Sequence, residues 1–170
     1  KALAQIQLFE LAAQELQYRP AYGSSRALDF QIARLLVKAK NFYQSTVVLR
    51  RVFPAYLDLP FSALPREIWE MFYPVNYESI IEREAAKYQI DPFLIMSLIR
   101  QESAFNPKAV SPANAHGLMQ LLPSTAQRLA RGMKLPRPST ARLHDPEVNI
   151  QLGMRYFSDL LKQFGGQTEK

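Results

Sequence analysis

Glu102 closes the segment Leu-Ile-Met-Ser-Leu-Ile-Arg-Gln-Glu that starts at Leu94. Leu94, Leu98 and Glu102 fall at i, i+4 and i+8, and Ile95, Ile99 and Glu102 at i, i+4 and i+7. On a helix this spacing puts a carboxyl where the apolar stripe would take another leucine. Burial there disfavours the charged form. So does the negative end of the helix macrodipole, because Glu102 would sit in the last turn. No Lys or Arg follows within four residues to offset it. A carboxyl that keeps its proton near neutral pH is what a general acid needs. Ser103 and Asn106 are near enough in sequence to orient it. The plainer alternative is a helix-end acid that faces solvent. His116 and His144 have no carboxylate or second histidine at metal-ligand spacing, so neither a metal nor another cofactor is expected. The chain has no cysteine and hence no thiol chemistry and no disulfide.

The elements that must position this acid read as helices. Ala-Leu-Ala-Gln through Arg19 has apolar residues at helical spacing and no breaker, so one continuous helix is expected. Ser24 and Ser25 suit the start of a second, whose stripe is Leu28, Ile32, Leu35 and Leu36. A third runs through Val47-Val48-Leu49, a run too short and isolated for a strand, and stops at Pro54. Pro65 opens a fourth that ends at Pro74 and carries Trp69 and Tyr73 on one face. Beyond a boundary at about residues 73–77, Asn76 to Ile90 reads as an amphipathic helix with Ile80, Ile81 and Ala85 inward. Asp91-Pro92 then gives an N-cap and a first-turn proline for the helix of Glu102. A Pro-, Asn- and Ser-rich loop follows. Another helix is expected from about Pro123 to Gly132, and a last one from Asp145-Pro146 to a stop at Gly165-Gly166. The fold class is therefore all-α, with helical hairpins over 1–74 that resemble an α-solenoid and a second domain over 75–170.

Three ordered motifs in the second domain carry a family resemblance. They are Glu102-Ser103, then Ser111 with Gly117-Leu118-Met119-Gln120 and Pro123-x-Thr125-Ala126, then Asn149-Ile150-x-x-Gly153-x-x-Tyr156. Together they resemble the soluble, Slt-type lytic transglycosylases and, more distantly, goose-type lysozyme. The resemblance covers about residues 75–166. It implies a lysozyme-like catalytic domain preceded by a helical linker domain, acting on peptidoglycan glycan strands in the periplasm or cell envelope. It also implies that Glu102 is the single acid/base and that Ser103, Ser111, Gly117, Leu118, Met119, Gln120, Asn149 and Tyr156 shape the substrate site. Gly117 would let the backbone approach the sugar. Asn149 and Gly153 share a helix face at i, i+4, and packing support is expected of both. Where the family has Gly-Ala before Gly-Leu-Met-Gln, this chain has Asn114-Ala115-His116. Asn tolerates a left-handed backbone, so the turn is expected to survive.

Glycosidases ordinarily use two carboxylates. Asp91 would stand about 16 Å from Glu102 at ~1.5 Å per residue, and capping accounts for Asp145 and Glu147. The resemblance implies the alternative of one acid in both roles, producing 1,6-anhydromuramic ends. A hydrolase of the same fold and a catalytically silent peptidoglycan-binding module are the competing readings. The family continues into Ala-Tyr-Asn-Ala-Gly, which this chain does not reach before Lys170, so the catalytic domain reads as truncated. The apolar face of its last helix, Val148, Leu152, Phe157, Leu160, Leu161 and Phe164, is then expected to be partly uncovered. The start at Lys-Ala-Leu-Ala-Gln reads as that of a fragment or processed chain.

The formal charge of +6 points to an anionic partner. Arg128, Arg131, Lys134, Arg137 and Arg142 form a loose basic run, suited to peptide carboxylates or to a solvated rim. No aromatics are interleaved with it, so nucleic acid is not expected. No apolar run approaches the ~20 residues of a membrane span.

Overall fold

The computed structural model describes residues 2–18 and 25–165. Among them the chain is all-α, with two isolated β-bridges, Val110 to His116 and His116 to Leu121. It divides into two compact units, Lys1–Pro74 and Val75–Lys170.

The first unit contains α1 (Ala2–Gln5), α2 (Phe9–Gln17), α3 (Arg26–Lys38), α4 (Phe42–Val52) and α5 (Arg66–Phe72). The single helix expected up to Arg19 is two: the chain breaks at Gln7, whose φ is +61°, and Arg19 itself lies outside the described residues. No glycine or proline marks that break. Ser25 caps α3 by accepting from the Leu28 amide at 3.1 Å; Ser24, its expected companion, lies outside the described residues. Asn41 caps α4 in the same way through Gln44. Successive helices pack α2 on α3 on α4, as helical hairpins do. Their core joins Ile32, Leu36, Val48, Leu49 and Phe72. Trp69 is buried, stacks on Phe61 and donates its indole N–H to the Phe61 carbonyl at 2.8 Å.

The second unit contains α6 (Glu78–Tyr88), α7 (Pro92–Ser103), α8 (Pro123–Gly132) and α9 (Pro146–Gln163), with a 3-10 turn at Ala141–His144. Local chemistry sets the starts. Asp91 accepts from the Phe93 amide at 2.8 Å and Asp145 from the Glu147 amide at 3.0 Å, each followed by proline in the first turn. The long helix α9 is the hub, packed on α6, α8 and the 3-10 turn. Along its apolar face burial decreases: Leu152 is buried, Phe157, Leu160 and Leu161 are half-buried, and Phe164 is exposed. The second glycine of its expected stop, Gly166, lies outside the described residues.

One buried acid was not anticipated. Glu84 is only 1% exposed, on the α6 stripe with Ile81 and Ala85. Lys87 meets it at 2.7 Å and Arg83 at 3.2 Å, while Arg83 also pairs with Glu147. These ion pairs link α6 to the start of α9. The stripe argument applied to Glu102 would have found Glu84, which stands at i+3 from Ile81.

Candidate active site

Glu102 sits in the last turn of α7, but the stripe that helix buries is Ile95, Ile99 and Ser103. Leu94 and Glu102 are exposed and Leu98 is half-buried. The expected desolvation of Glu102 is therefore not what the described residues provide. Five apolar residues in six, Leu94 to Ile99, cover more than one helical face, and packing selected the face one residue over. The Glu102 carboxylate has no hydrogen bond or ion pair among the described residues. Asn106 does not orient it; that side chain accepts from the Lys108 amide at 2.9 Å.

The chain leaves α7 abruptly. Ala104 and Phe105 both adopt left-handed backbone, φ +47° and +60°. Each such residue costs roughly 1–2 kcal/mol when it is not glycine. Phe105, buried beneath the turn, holds the second in place. Ala104→Gly is expected to raise the stability of this unit by about 1 kcal/mol, because glycine meets no steric penalty at that φ. A denaturant titration of the two proteins measures the difference.

Ser103 connects this helix end to the Gly-Leu-Met-Gln turn. Its buried hydroxyl lies 3.0 Å from the Ile99 carbonyl and 2.9 Å from the Leu118 carbonyl. One hydroxyl proton serves the two acceptors, and the turn is thereby held one residue from Glu102. Leu118 and Met119 are buried, as is Gly117. Gly117, with φ +78°, has a reason within the fold for its missing side chain. A Cβ there would stand 2.2 Å from the Leu143 carbonyl oxygen and 2.3 Å from the Asn149 amide nitrogen.

Asn149, fully buried, ties the region together. Its Oδ1 accepts from the Met119 amide at 2.8 Å. Its Nδ2 donates to the His116 and Leu143 carbonyls at 2.9 and 2.8 Å. Gly153, one turn on, leaves room for Met119: an added Cβ would lie 2.3 Å from its sulfur. The packing expected of this pair is thus packing against the turn. Gln120, half-buried with φ +47°, donates its side-chain amide to the Gly117 carbonyl at 2.9 Å. Ser111 accepts from the Ala115 amide at 3.0 Å, and Asn114 takes the left-handed conformation expected of it, φ +62°. Tyr156 is 36% exposed on α9. Of the residues singled out from sequence, Glu102 and Tyr156 are thus exposed, Ser111 and Gln120 are half-buried, and the rest form the buried support.

His116, which sequence reasoning considered only as a metal ligand, lies buried in this support. Its Nε2 is 2.8 Å from Asn114 Oδ1, so the proton belongs there. Its Nδ1 is buried without a partner, and the ring meets His144 edge-on at 5.2 Å. Burial, then the neighbouring His144, lowers its pKa below the usual 6.5. The unfolded chain therefore binds this proton more readily, and stability is complete above about pH 6.5 and declines as pH falls through that value. Thermal midpoints measured from pH 7.5 to 5 are expected to fall, and His116→Gln is expected to flatten that slope.

Most of the other described carboxylates of this unit are engaged elsewhere. Glu84, Asp145, Glu147 and Asp159 are ion-paired, and Asp91 caps α7. Glu78 and Glu82 are exposed on α6. Among the described carboxylates of this unit, Glu102 is the one that stands unpaired at a helix end bonded to the turn.

Comparison with known proteins places the chain in a family. The model of the family described as transglycosylase SLT domain matches residues 79–170. The soluble lytic murein transglycosylase of Escherichia coli is 34% identical over 136 residues, covering 76% of this chain and 21% of that protein. Membrane-bound lytic murein transglycosylase C of Haemophilus influenzae is 44% identical over 91 residues, covering 52% of this chain and 26% of its own length. Among solved structures, the 70 kDa soluble lytic transglycosylase in complex with bulgecin A superposes with a TM-score of 0.73 at 28% identity, covering 98% of this chain and 25% of that one. An inactive mutant of the lytic transglycosylase Slt from Pseudomonas aeruginosa gives 0.72 at 28% identity, with 93% and 23% covered. The chain thus spans about a fifth to a quarter of the length of these relatives. The all-α fold with a lysozyme-like second unit is that of these neighbours. On the match over residues 79–170, with Glu102, the turn at Gly117 and Asn149 in one connected site, this chain belongs to the transglycosylase SLT domain family.

Proposed function

We propose that this chain carries the catalytic acid of a peptidoglycan lytic transglycosylase, with residues 1–74 as helical linker and 75–170 as part of the catalytic domain. The observation that carries the reading is the exposed carboxylate of Glu102, unpaired among the described residues and held at a helix end that Ser103 bonds to the Leu118 carbonyl. With one acid available, the chemistry is a relay through it. Protonated Glu102 donates to the glycosidic oxygen of the β-1,4 bond between N-acetylmuramic acid and N-acetylglucosamine. The bond from muramic C1 to that oxygen breaks, and positive charge develops at C1. The Glu102 carboxylate then takes the proton of the muramic 6-hydroxyl as O6 bonds to C1. The acid is regenerated, a 1,6-anhydro end forms, and no water is consumed.

Glu102 and Tyr156 are the exposed candidates for contact with sugar, and Gln120 and Ser111 are accessible in part. Ser103, Gly117, Leu118, Met119 and Asn149 would act by holding the turn. The relatives' names, soluble and membrane-bound murein transglycosylases, support action in the cell envelope. Among the described residues no helix is long and apolar enough to cross a membrane.

Mass spectrometry of products released from purified sacculi tests the reaction. Muropeptides lighter by one water than hydrolytic products are expected. A predominance of reducing muramic ends would instead establish a hydrolase of the same fold.

A further inference from the structure

A cavity of about 300 Å³ lies in the second unit between the end of α8, the loop that follows it, and the start of α9. None of the residues assigned to the Glu102 site lines it. On α9, Asn149 and Gly153 face the Gly-Leu-Met-Gln turn, whereas Val148, Gln151 and Leu152 line the cavity. Its walls are of two kinds. Leu152 is buried, and Leu135 and Val148 pack with it as one apolar cluster. Arg137 and Arg142, both exposed, supply positive charge. Arg142 is already neutralised by Asp145 at 3.0 Å, but Arg137 has no ion pair or hydrogen bond among the described residues. Arg137 therefore brings uncompensated positive charge to the lining of the cavity. Pro136 and Pro138 flank Arg137 and restrict the backbone that presents it.

The size is at the small end of ligand pockets. An inorganic anion would use the arginine and leave the apolar wall unused. An uncharged sugar would do neither. Both walls are satisfied by a short peptide with small aliphatic side chains and a free terminal carboxylate, which a guanidinium binds through paired N–H donors. We infer that this cavity is a second binding site that takes the carboxylate end of such a peptide, the chemistry of the stem peptides on muramic residues. The site rests on the proposed function for its source of ligand and adds a contact away from the glycosidic bond. It would favour strands whose peptides are still attached.

The test is titration of the isotope-labelled 170-residue chain with acetyl-D-Ala-D-Ala, followed by NMR. Saturable shifts are expected at Leu135, Arg137 and Gln151, with a Kd on the order of 1 mM. The C-terminal amide of the same peptide is expected to bind roughly tenfold more weakly, as is the free acid to Arg137→Gln. Arg137→Lys should recover part of the loss. Glu102→Gln should leave the titration unchanged, so the result is independent of turnover. Equal binding of acid and amide, shifts confined to Glu102 and Tyr156, or no saturation would overturn the site. A protein C terminus offers the same chemistry, so acetyl-L-Ala-L-Ala is the companion probe. Binding of the L,L form alone would remove the stem peptide as its ligand.

Discussion

Glu102→Gln is expected to lower muropeptide release by a factor of 10² or more while leaving the thermal midpoint within about a degree. Glutamine keeps the shape of the side chain and removes its transferable proton. The structure makes the stability half of this expectation strong: the carboxylate is exposed and forms no hydrogen bond or ion pair among the described residues, so the fold loses nothing with it. Surface changes of this kind usually stay within ±0.5 kcal/mol. Release rates from sacculi and a melting curve on the same preparation give both quantities. Near-normal release would remove Glu102 from the chemistry.

Asn149→Leu should do the reverse, with its main effect on stability. Leucine has a similar volume but leaves the Met119 N–H without its acceptor and deprives the Leu143 and His116 carbonyls of a donor. His116 O retains the Leu121 amide at 3.0 Å, so the penalty is concentrated at the other two. An unsatisfied buried group costs about 1–3 kcal/mol, giving a total of roughly 3 kcal/mol or more. For a unit of this size the midpoint should fall on the order of 10 °C. Asn149→Asp keeps an acceptor for Met119 but sets a carboxylate against two carbonyl oxygens, and it should be no better. A leucine variant that melts like the parent would mean that the turn does not depend on this amide.

The two variants separate what touches the reaction from what holds the reacting group. Turnover in Asn149→Leu is expected to drop as the turn loosens, but by temperature-dependent loss of structure. Activity recovered on cooling would distinguish it from Glu102→Gln, whose defect persists at every temperature.

Helix positions were legible in the sequence wherever the determinant is local. Asp91-Pro92 and Asp145-Pro146 cap and start their helices through bonds spanning two residues, and Pro123 starts α8 where expected. The order of the three motifs likewise pointed to one site. Phase was not local. The α7 segment is apolar on more than one face, so only its neighbours decide that Ile95, Ile99 and Ser103 turn inward and Glu102 outward. The same holds for Gly117, whose lost side chain answers to the Leu143 carbonyl and Asn149, partners 26 and 32 positions away. The contact of buried His116 with His144 and the Arg137 cavity also arise from contacts between distant segments. A residue's type and spacing state which chemistry it can do; whether water reaches it, and what stands within 3 Å of it, is settled by packing.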